Sequence, residues 1–444
     1  MIRRTEGKSI TSPVAFNEAM NDWEHVILLS ADALRADHLS CYGYHRETSP
    51  RLDELATESL TFTNAYSASS HTREAVPSLL TGRHPDAAVD AEYYLSADSI
   101  GSLLSDVGFE TAGFHSNPFV SRAYGFDDGF DEFDDDLHLG RHKLIALAQR
   151  AFDKFRNRHY ARADEINERS LEWIDSLDEG ESFFLWNHYM DTHGPYEPPG
   201  EYGTLYGEDT LSDSEAQTLY QRAIDNPETI TEEERQLIID AYDGEIRYND
   251  EKIGSFLDAL DQRGILEESL IVFTADHGDA FGEHGYYEHP RFVHDELVHV
   301  PLLVCAPETS DKTVDTPIST IDIVTTILSQ VEGTDVSLPG SDLRQVASNP
   351  EAFEGRTVFS SARGENENSH VRRFSARTKT KTWYGEYDSD SDELVATNGS
   401  EIPQHLREHV LERVGNNQST GKENANEEAV DDEIEDRLSA LGYK

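Results

Sequence analysis

Positive charge is what this sequence has least of. Its 444 residues carry 37 Lys and Arg against 87 Asp and Glu, a formal net charge of −50. With so few cations to displace counterions from phosphates, approach to nucleic acid or to an anionic membrane surface is mainly repulsive, and neither is expected as a partner. Cysteine is nearly absent too. Cys41 and Cys305 are the two present, too few for a disulfide framework to hold a chain of this length together. No early apolar run approaches the length of a bilayer span, and residues 1–21 are polar without a signal-peptide core. The expectation is a cytoplasmic protein, and no internal repeat is visible.

What is there is enough to fold. Hydrophobic residues make up 37% and aromatics 9%, spread along most of the chain, which supports a sizeable core. A charge of −50 on this chain destabilises the compact state at low ionic strength. At about 1 M salt the Debye length falls to about 3 Å and the repulsion mostly vanishes. The acids run from Glu18 to Glu435 without confinement to one tail, which reads as adaptation of the whole surface to molar salt.

Apolar runs of strand character recur at 25–30, 110–115, 182–188, 270–274 and 298–305, and helical spacing of apolar residues at 50–59, 97–107, 163–177, 232–263 and 319–331. The alternation predicts an α/β fold, a three-layer αβα sandwich with a mostly parallel central sheet. Such sheets place ligands beyond the carboxyl ends of their strands. Two polar stretches, 126–136 and 201–231, read as surface insertions. After residue 350 the pattern changes to short alternating segments at 357–361 and 373–385, which predicts a small antiparallel sheet. The chain is thus divided into a large α/β unit, 1–349, and a small C-terminal subdomain, 350–444, with a flexible acidic segment over 416–430 and a last helix over 431–441.

Five segments carry chemistry. The strand ending in Ser30-Ala31-Asp32 puts an acid at its carboxyl end, where it serves either as a metal ligand or as a cap on the next element. The strand ending in Thr274-Ala275-Asp276-His277-Gly278 offers a hard oxygen beside an imidazole nitrogen, a mixture suited to Mn²⁺, Mg²⁺ or Zn²⁺, although a polar turn has the same composition. In Ser70-His71-Thr72-Arg73, Thr72 opens a helix that ends at Gly82 and is either its N-cap or a group beside an anion site; Arg73 next to it can fork onto an anion. His193, in Met190-Asp191-Thr192-His193-Gly194-Pro195, and His289, near His284, His294 and His299, are either turn residues or members of the same crevice.

Taken in order, these segments resemble the sulfatase branch of the alkaline phosphatase superfamily, over about residues 25–343. Supporting pieces are Ser40-Cys41-Tyr42-Gly43, Leu79-Leu80-Thr81-Gly82, Tyr242-Asp243-Gly244-Glu245, Pro301-Leu302-Leu303-Val304 and an echo at Leu438–Tyr443. The composition is similar to that of halophilic archaeal proteins. Thr72 stands where the family's nucleophile would be, and a threonine cannot be oxidised to formylglycine, so the chain looks like the Thr-type relatives. Val76 replaces the family's Arg one turn later, Ala33 its second Asp, and the Lys-Trp-His segment has no counterpart.

The resemblance implies a metal-dependent hydrolase of sulfate or phosphate esters. One divalent ion, Mn²⁺, Mg²⁺ or Ca²⁺, would be held by Asp32, Asp276 and His277 with Thr72 completing the set. Thr72 would form a covalent ester, with Arg73, His193 and His289 neutralising the oxygens and protonating the leaving group. The partner is a small anionic ester. Other readings are a phosphodiesterase or phosphoryl-group transferase, a two-metal site drawing on His284, His289 and His294, and a non-catalytic binding protein on the same fold. Because an anionic ester must approach an anionic protein, lowering KCl from molar to about 0.1 M is expected to raise its KM while the chain is still folded. A KM that stays flat across that range overturns this expectation.

Overall fold

The computed structural model describes residues 23–136, 160–207, 211–307, 309, 311–334, 336–397 and 401–416. Residues 1–21, the stretch 417–430, the helix expected over 431–441 and the Leu438–Tyr443 echo lie outside the described residues.

The central sheet is built from β1 (His25–Ala31), β2 (Leu60–Phe62), β3 (Glu110–His115), β4 (Glu132–Asp134), β5 (Phe183–Tyr189), β6 (Ser269–Ala275), β7 (Leu302–Cys305) and β8 (Lys312–Val314). Their spatial order is β8-β2-β7-β6-β1-β5-β3-β4. Around β1 the sheet is parallel, from β6 on one side through β5, β3 and β4 on the other. It is mixed overall, because β7 runs antiparallel to both β6 and β2. The expected parallel core is therefore present, with one reversed strand toward an edge.

Every residue of β1, β5 and β6 is buried. Strands with no polar face need cover on both sides. Helices α1 (Pro50–Ala56), α4 (Ala163–Ile174) and α6 (Glu232–Asp261) pack together as one layer, and α2 (Thr72–Thr81), α3 (Ile100–Ser105) and α7 (Asp322–Leu328) form another. The sandwich thus has the three expected layers. Gly82 ends α2 in the left-handed region, at φ 64°, where an added Cβ would come within 2.9 Å of Val324. Only glycine closes the helix against α7 there.

Two stretches differ from expectation. Residues 126–136 are not a simple surface insertion: Phe126 is buried and Glu132–Asp134 pairs in parallel with β3 as the edge strand. Residues 201–231 contain helix α5 (Asp213–Asp225), whose Leu219, Tyr220 and Ala223 are buried. Its polar composition hides the helix because only this narrow stripe touches the core.

The C-terminal region forms an antiparallel meander, β9 (Val358–Arg363), β10 (Val371–Arg377), β11 (Thr382–Asp388) and β12 (Glu393–Ala396), with α8 (Gln404–Asn416) against it. Leu406 and Val410 of α8 pack on Phe374, Ala376 and Tyr387. No helix among the described residues is long and apolar enough to cross a membrane.

His409 of α8 stacks on Phe359 at 3.6 Å and meets His84 at 5.0 Å. Burial and Arg413 push these imidazoles down to about 2 for His409 and about 3 for His84, from 6.5. A base whose folded pKa is depressed contributes stability that is complete above 6.5 and lost as pH falls below it, by about 1.4 kcal/mol per histidine and pH unit. Acidification from pH 7 toward 5 is expected to loosen α8 first, read as faster amide exchange over 404–416. His409→Phe should flatten that response.

Candidate active site

Parallel register assembles the site. Ala31 and Ala275 are partners across β1 and β6, so the next residue of each strand, Asp32 and Asp276, emerges side by side at the carboxyl edge. The Asp32 backbone N–H donates to the Tyr189 carbonyl at 2.8 Å, and that of Asp276 to the Ala31 carbonyl at 3.3 Å. His277 follows directly. Thr72 is the first residue of α2, and its Oγ1 lies 3.1 Å from His277 Nε2. All four side chains are buried.

The carboxylate oxygens of this cluster are unevenly satisfied. Asp32 Oδ2 accepts from Asn117 Nδ2 at 2.6 Å and from His188 Nε2 at 3.2 Å, while Oδ1 has no partner among the described residues. Asp276 Oδ1 accepts from the Ala33 and His277 N–H groups, and its Oδ2 is likewise unpartnered. His277 Nδ1 donates to the Gly278 carbonyl at 2.9 Å, which leaves the lone pair on Nε2. That nitrogen lies 3.6 Å from Asp32 Oδ1 and 3.5 Å from Asp276 Oδ2.

Two orphaned buried carboxylate oxygens and an imidazole lone pair therefore converge, all within 4.8 Å of one another. Buried acceptors without a donor are costly, and a divalent cation satisfies all three at once. The donor set fits such an ion. Burial and the charge of Asp32 raise the Asp276 carboxyl above its ordinary range. Burial also opposes ionisation of Asp32, but the His193, His188 and His277 rings outweigh it and hold Asp32 low. The pair accepts a proton or a cation more readily than it tolerates two bare charges.

The groups around the cluster are fixed by their own bonds. His188 carries the chain on to Ser30, whose Oγ lies 3.0 Å from His188 Nδ1 and accepts from Trp186 Nε1. Thr192 Oγ1 donates to the Asp32 carbonyl at 2.6 Å. The Tyr242 hydroxyl donates to the Ala33 carbonyl and accepts from the Arg35 N–H, pinning Ala33 in the left-handed region at φ 56°. Where the family pattern has a second Asp, this chain thus offers a backbone N–H to Asp276.

His193 and His289 do enter the same crevice. Their rings stand 5.1 Å apart, and His289 lies 4.5 Å from His277. His193 Nδ1 donates to the Gly194 carbonyl, and His289 Nδ1 donates to Asp279 Oδ1 at 3.0 Å. Asp279 is held in turn by the Tyr196 hydroxyl. Burial and His277 push His289 down to about 4 despite Asp279, so the ring is neutral at pH 7. Arg73 lays its guanidinium over Phe119 at 4.1 Å, and its Nε has no hydrogen-bond partner among the described residues. His284 and His294 group with Glu296 instead, and among the described residues no metal-ligand group joins them to Asp32, Asp276 and His277.

Sequence reasoning missed Asn117, His188, Asp279 and Tyr242 as parts of the site. The first three had a usable signal, since each is a polar residue within four positions of the carboxyl end of a parallel strand. Tyr242, within α6, stood in the Tyr242-Asp243-Gly244-Glu245 piece of the resemblance, but nothing in that piece indicated its contact with Ala33.

Comparison with known proteins agrees with this geometry. The Sulfatase family model matches residues 24–334. An arylsulfatase of Clostridium perfringens is 24% identical over 372 residues, covering 71% of this chain and 76% of that protein. An uncharacterized sulfatase of Escherichia coli is 23% identical over 360 residues, covering 72% and 70%. Among solved structures, a phosphonate monoester hydrolase from Silicibacter pomeroyi superposes with a TM-score of 0.66 at 19% identity, covering 88% of this chain and 96% of that one.

The hydrogen bonds to Asp32 Oδ2 aim its other oxygen at the cluster. Removing such an outer partner typically weakens metal binding by about 10- to 100-fold. His188→Ala is expected to weaken Mn²⁺ binding by that factor in a calorimetric titration, and unchanged affinity would show that His188 does not orient Asp32.

Proposed function

The chain belongs to the sulfatase family, and within it we propose a metal-dependent hydrolase of sulfate or phosphate esters that works through a covalent ester on Thr72. The observation that carries the proposal is the Thr72 hydroxyl, buried at the start of α2 and 3.1 Å from the nitrogen on which two orphaned carboxylate oxygens converge. Asp32, Asp276 and His277 would hold the ion, with Thr72 beside them. A divalent ion supplies positive charge that makes a nearby hydroxyl more acidic and stabilises charge on the group being transferred. Two aspartate oxygens favour Mn²⁺, Mg²⁺ or Ca²⁺, and the imidazole tilts the choice toward Mn²⁺.

The chain's own residues divide the remaining work. As Thr72 Oγ1 bonds to sulfur or phosphorus, the bond to the substrate alcohol breaks, and water later releases the anion from Thr72. Arg73, adjacent to Thr72 and with its Nε unpartnered, meets the equatorial oxygens. His193 and His289 handle protons. His289, neutral at pH 7 and oriented by Asp279, accepts one before it returns one to the departing alcohol. Without a residue that becomes formylglycine, the threonine ester is opened by water attack at sulfur or phosphorus.

The wider setting belongs to the same reading. We take the charge of −50 as adaptation to molar salt, the condition inside halophilic archaeal cells, and place the enzyme in such a cytoplasm. Residues 350–444 we treat as a subdomain that supports the catalytic unit.

Thr72→Ala is expected to lose about 10³-fold or more in kcat toward aryl sulfate and aryl phosphate, and Thr72→Ser to retain turnover. Full activity in Thr72→Ala would overturn the covalent route. A panel of aryl sulfate, phosphate monoester, phosphodiester and phosphonate, assayed in molar KCl with each of the three ions, assigns the ester class.

A further inference from the structure

We infer that His284, His294 and Glu296 form a second metal site, separate from the catalytic cluster and suited to a zinc-type transition-metal dication. His284 sits in the turn between the short strands Ala280–Phe281 and Tyr287–Glu288, and His294 and Glu296 flank the start of the helical turn Asp295–Val298. Glu296 Oε1 lies 3.1 Å from His284 Nε2 and 3.9 Å from His294 Nδ1, and one ligand atom from each residue falls within 4.8 Å of the others. A tetrahedral ion with bonds of about 2.0–2.1 Å sets its ligands about 3.4 Å apart, between the two measured separations.

A simple ion pair does not account for this arrangement. The His284 and His294 rings stack with centroids 4.0 Å apart, which suits two neutral imidazoles and penalises two charged ones. The Tyr286 hydroxyl has one proton for two neighbours, His294 Nδ1 at 2.5 Å and Glu296 Oε1 at 3.0 Å. An ion bound through His294 Nδ1 takes the place of the tyrosine contact to that nitrogen and leaves the Tyr286 hydroxyl donating to Glu296. Two nitrogens and one carboxylate favour zinc, whereas the two-aspartate catalytic set favours harder ions. The Glu296 side chain is 9% exposed and that of His284 47%, so one flank is fixed and the other admits an ion from solvent.

The position gives such an ion a bracing role. The Gly278 N–H donates to the Leu297 carbonyl at 2.9 Å, and the Glu296 carbonyl presses so close that a Cβ on Gly278 would lie 2.3 Å from it. Glu283, beside His284, pairs with Arg35 three residues after Asp32. An ion joining the 282–288 turn to Glu296 therefore clamps the backbone that carries His277 from both directions.

The test is a zinc count on the full chain. Protein incubated with excess Zn²⁺ and desalted is measured by elemental analysis as wild type, as His284→Ala and as His284→Ala/His294→Ala. One zinc per chain fewer in each variant than in wild type supports the site. The difference is the readout, so it holds whether or not Asp32, Asp276 and His277 also take zinc. Equal counts in wild type and in folded His284→Ala, whose altered side chain is half exposed, overturn the proposal. A second measurement is the zinc-dependent rise in Tm, which should shrink in both variants; a wild-type rise in either also overturns it.

Discussion

Two carboxylates that the strand register forces together govern this molecule. Asp32 and Asp276 follow directly on paired residues of adjacent parallel strands, so the backbone leaves them no means of moving apart. Neither is exposed to water. Burying two like charges is unfavourable by several kcal/mol unless they are neutralised or hydrogen-bonded, and most of the surrounding architecture is a response to that requirement. Asn117 and His188 satisfy one oxygen of Asp32, and the Ala33 and His277 N–H groups satisfy one of Asp276. The oxygens left over are those that face His277.

The response extends outward in layers. His188 sits between the Asp32 carboxylate at Nε2 and the Ser30 hydroxyl at Nδ1, and Ser30, which accepts from Trp186, holds the ring in that orientation. Tyr242 reaches from α6 to hold Ala33 in a conformation that a residue with a Cβ seldom adopts, and in it the Ala33 N–H donates to Asp276. The strain is of the order of 1–2 kcal/mol, and a buried charge left unpaired would be worse. Local disfavour is thus accepted where the electrostatics of the pair demand it.

The legible parts of the fold were those set by local periodicity. The buried strands and the long helix α6 announce themselves because their apolar spacing is dictated by the core they face. Asp32, Asp276 and His277 could be picked out as well, since strand ends carry polar residues for a reason. Less legible was anything that depends on distance across the fold. Helix α5 buries only a narrow stripe, the strand at Glu132–Asp134 is short and acidic, and β7 gives no sign in its own residues of running against its neighbours. Arg363 is the clearest example. It lies 289 positions from Glu74, yet its backbone N–H and guanidinium both meet that buried carboxylate two residues after Thr72. The antiparallel sheet thereby steadies helix α2, which Thr72 opens, a relation no window of sequence contains.

The scarce cations are placed accordingly. Arg35, Arg291 and Arg377 are nearly buried, each against acid partners, and Arg363 is almost so. These arginines lie inside with their acid partners, and the charges left on the surface are mostly acids. Salt does not act equally on both populations. Charges on the surface are screened over about 3 Å at 1 M, whereas buried pairs, with no mobile ions between them, keep their attraction. A solvent of high ionic strength therefore removes the repulsion that opposes folding and leaves intact the interior pairs that position Thr72 and the strand ends, so the same excess of acid is compatible with a precisely ordered, highly charged site.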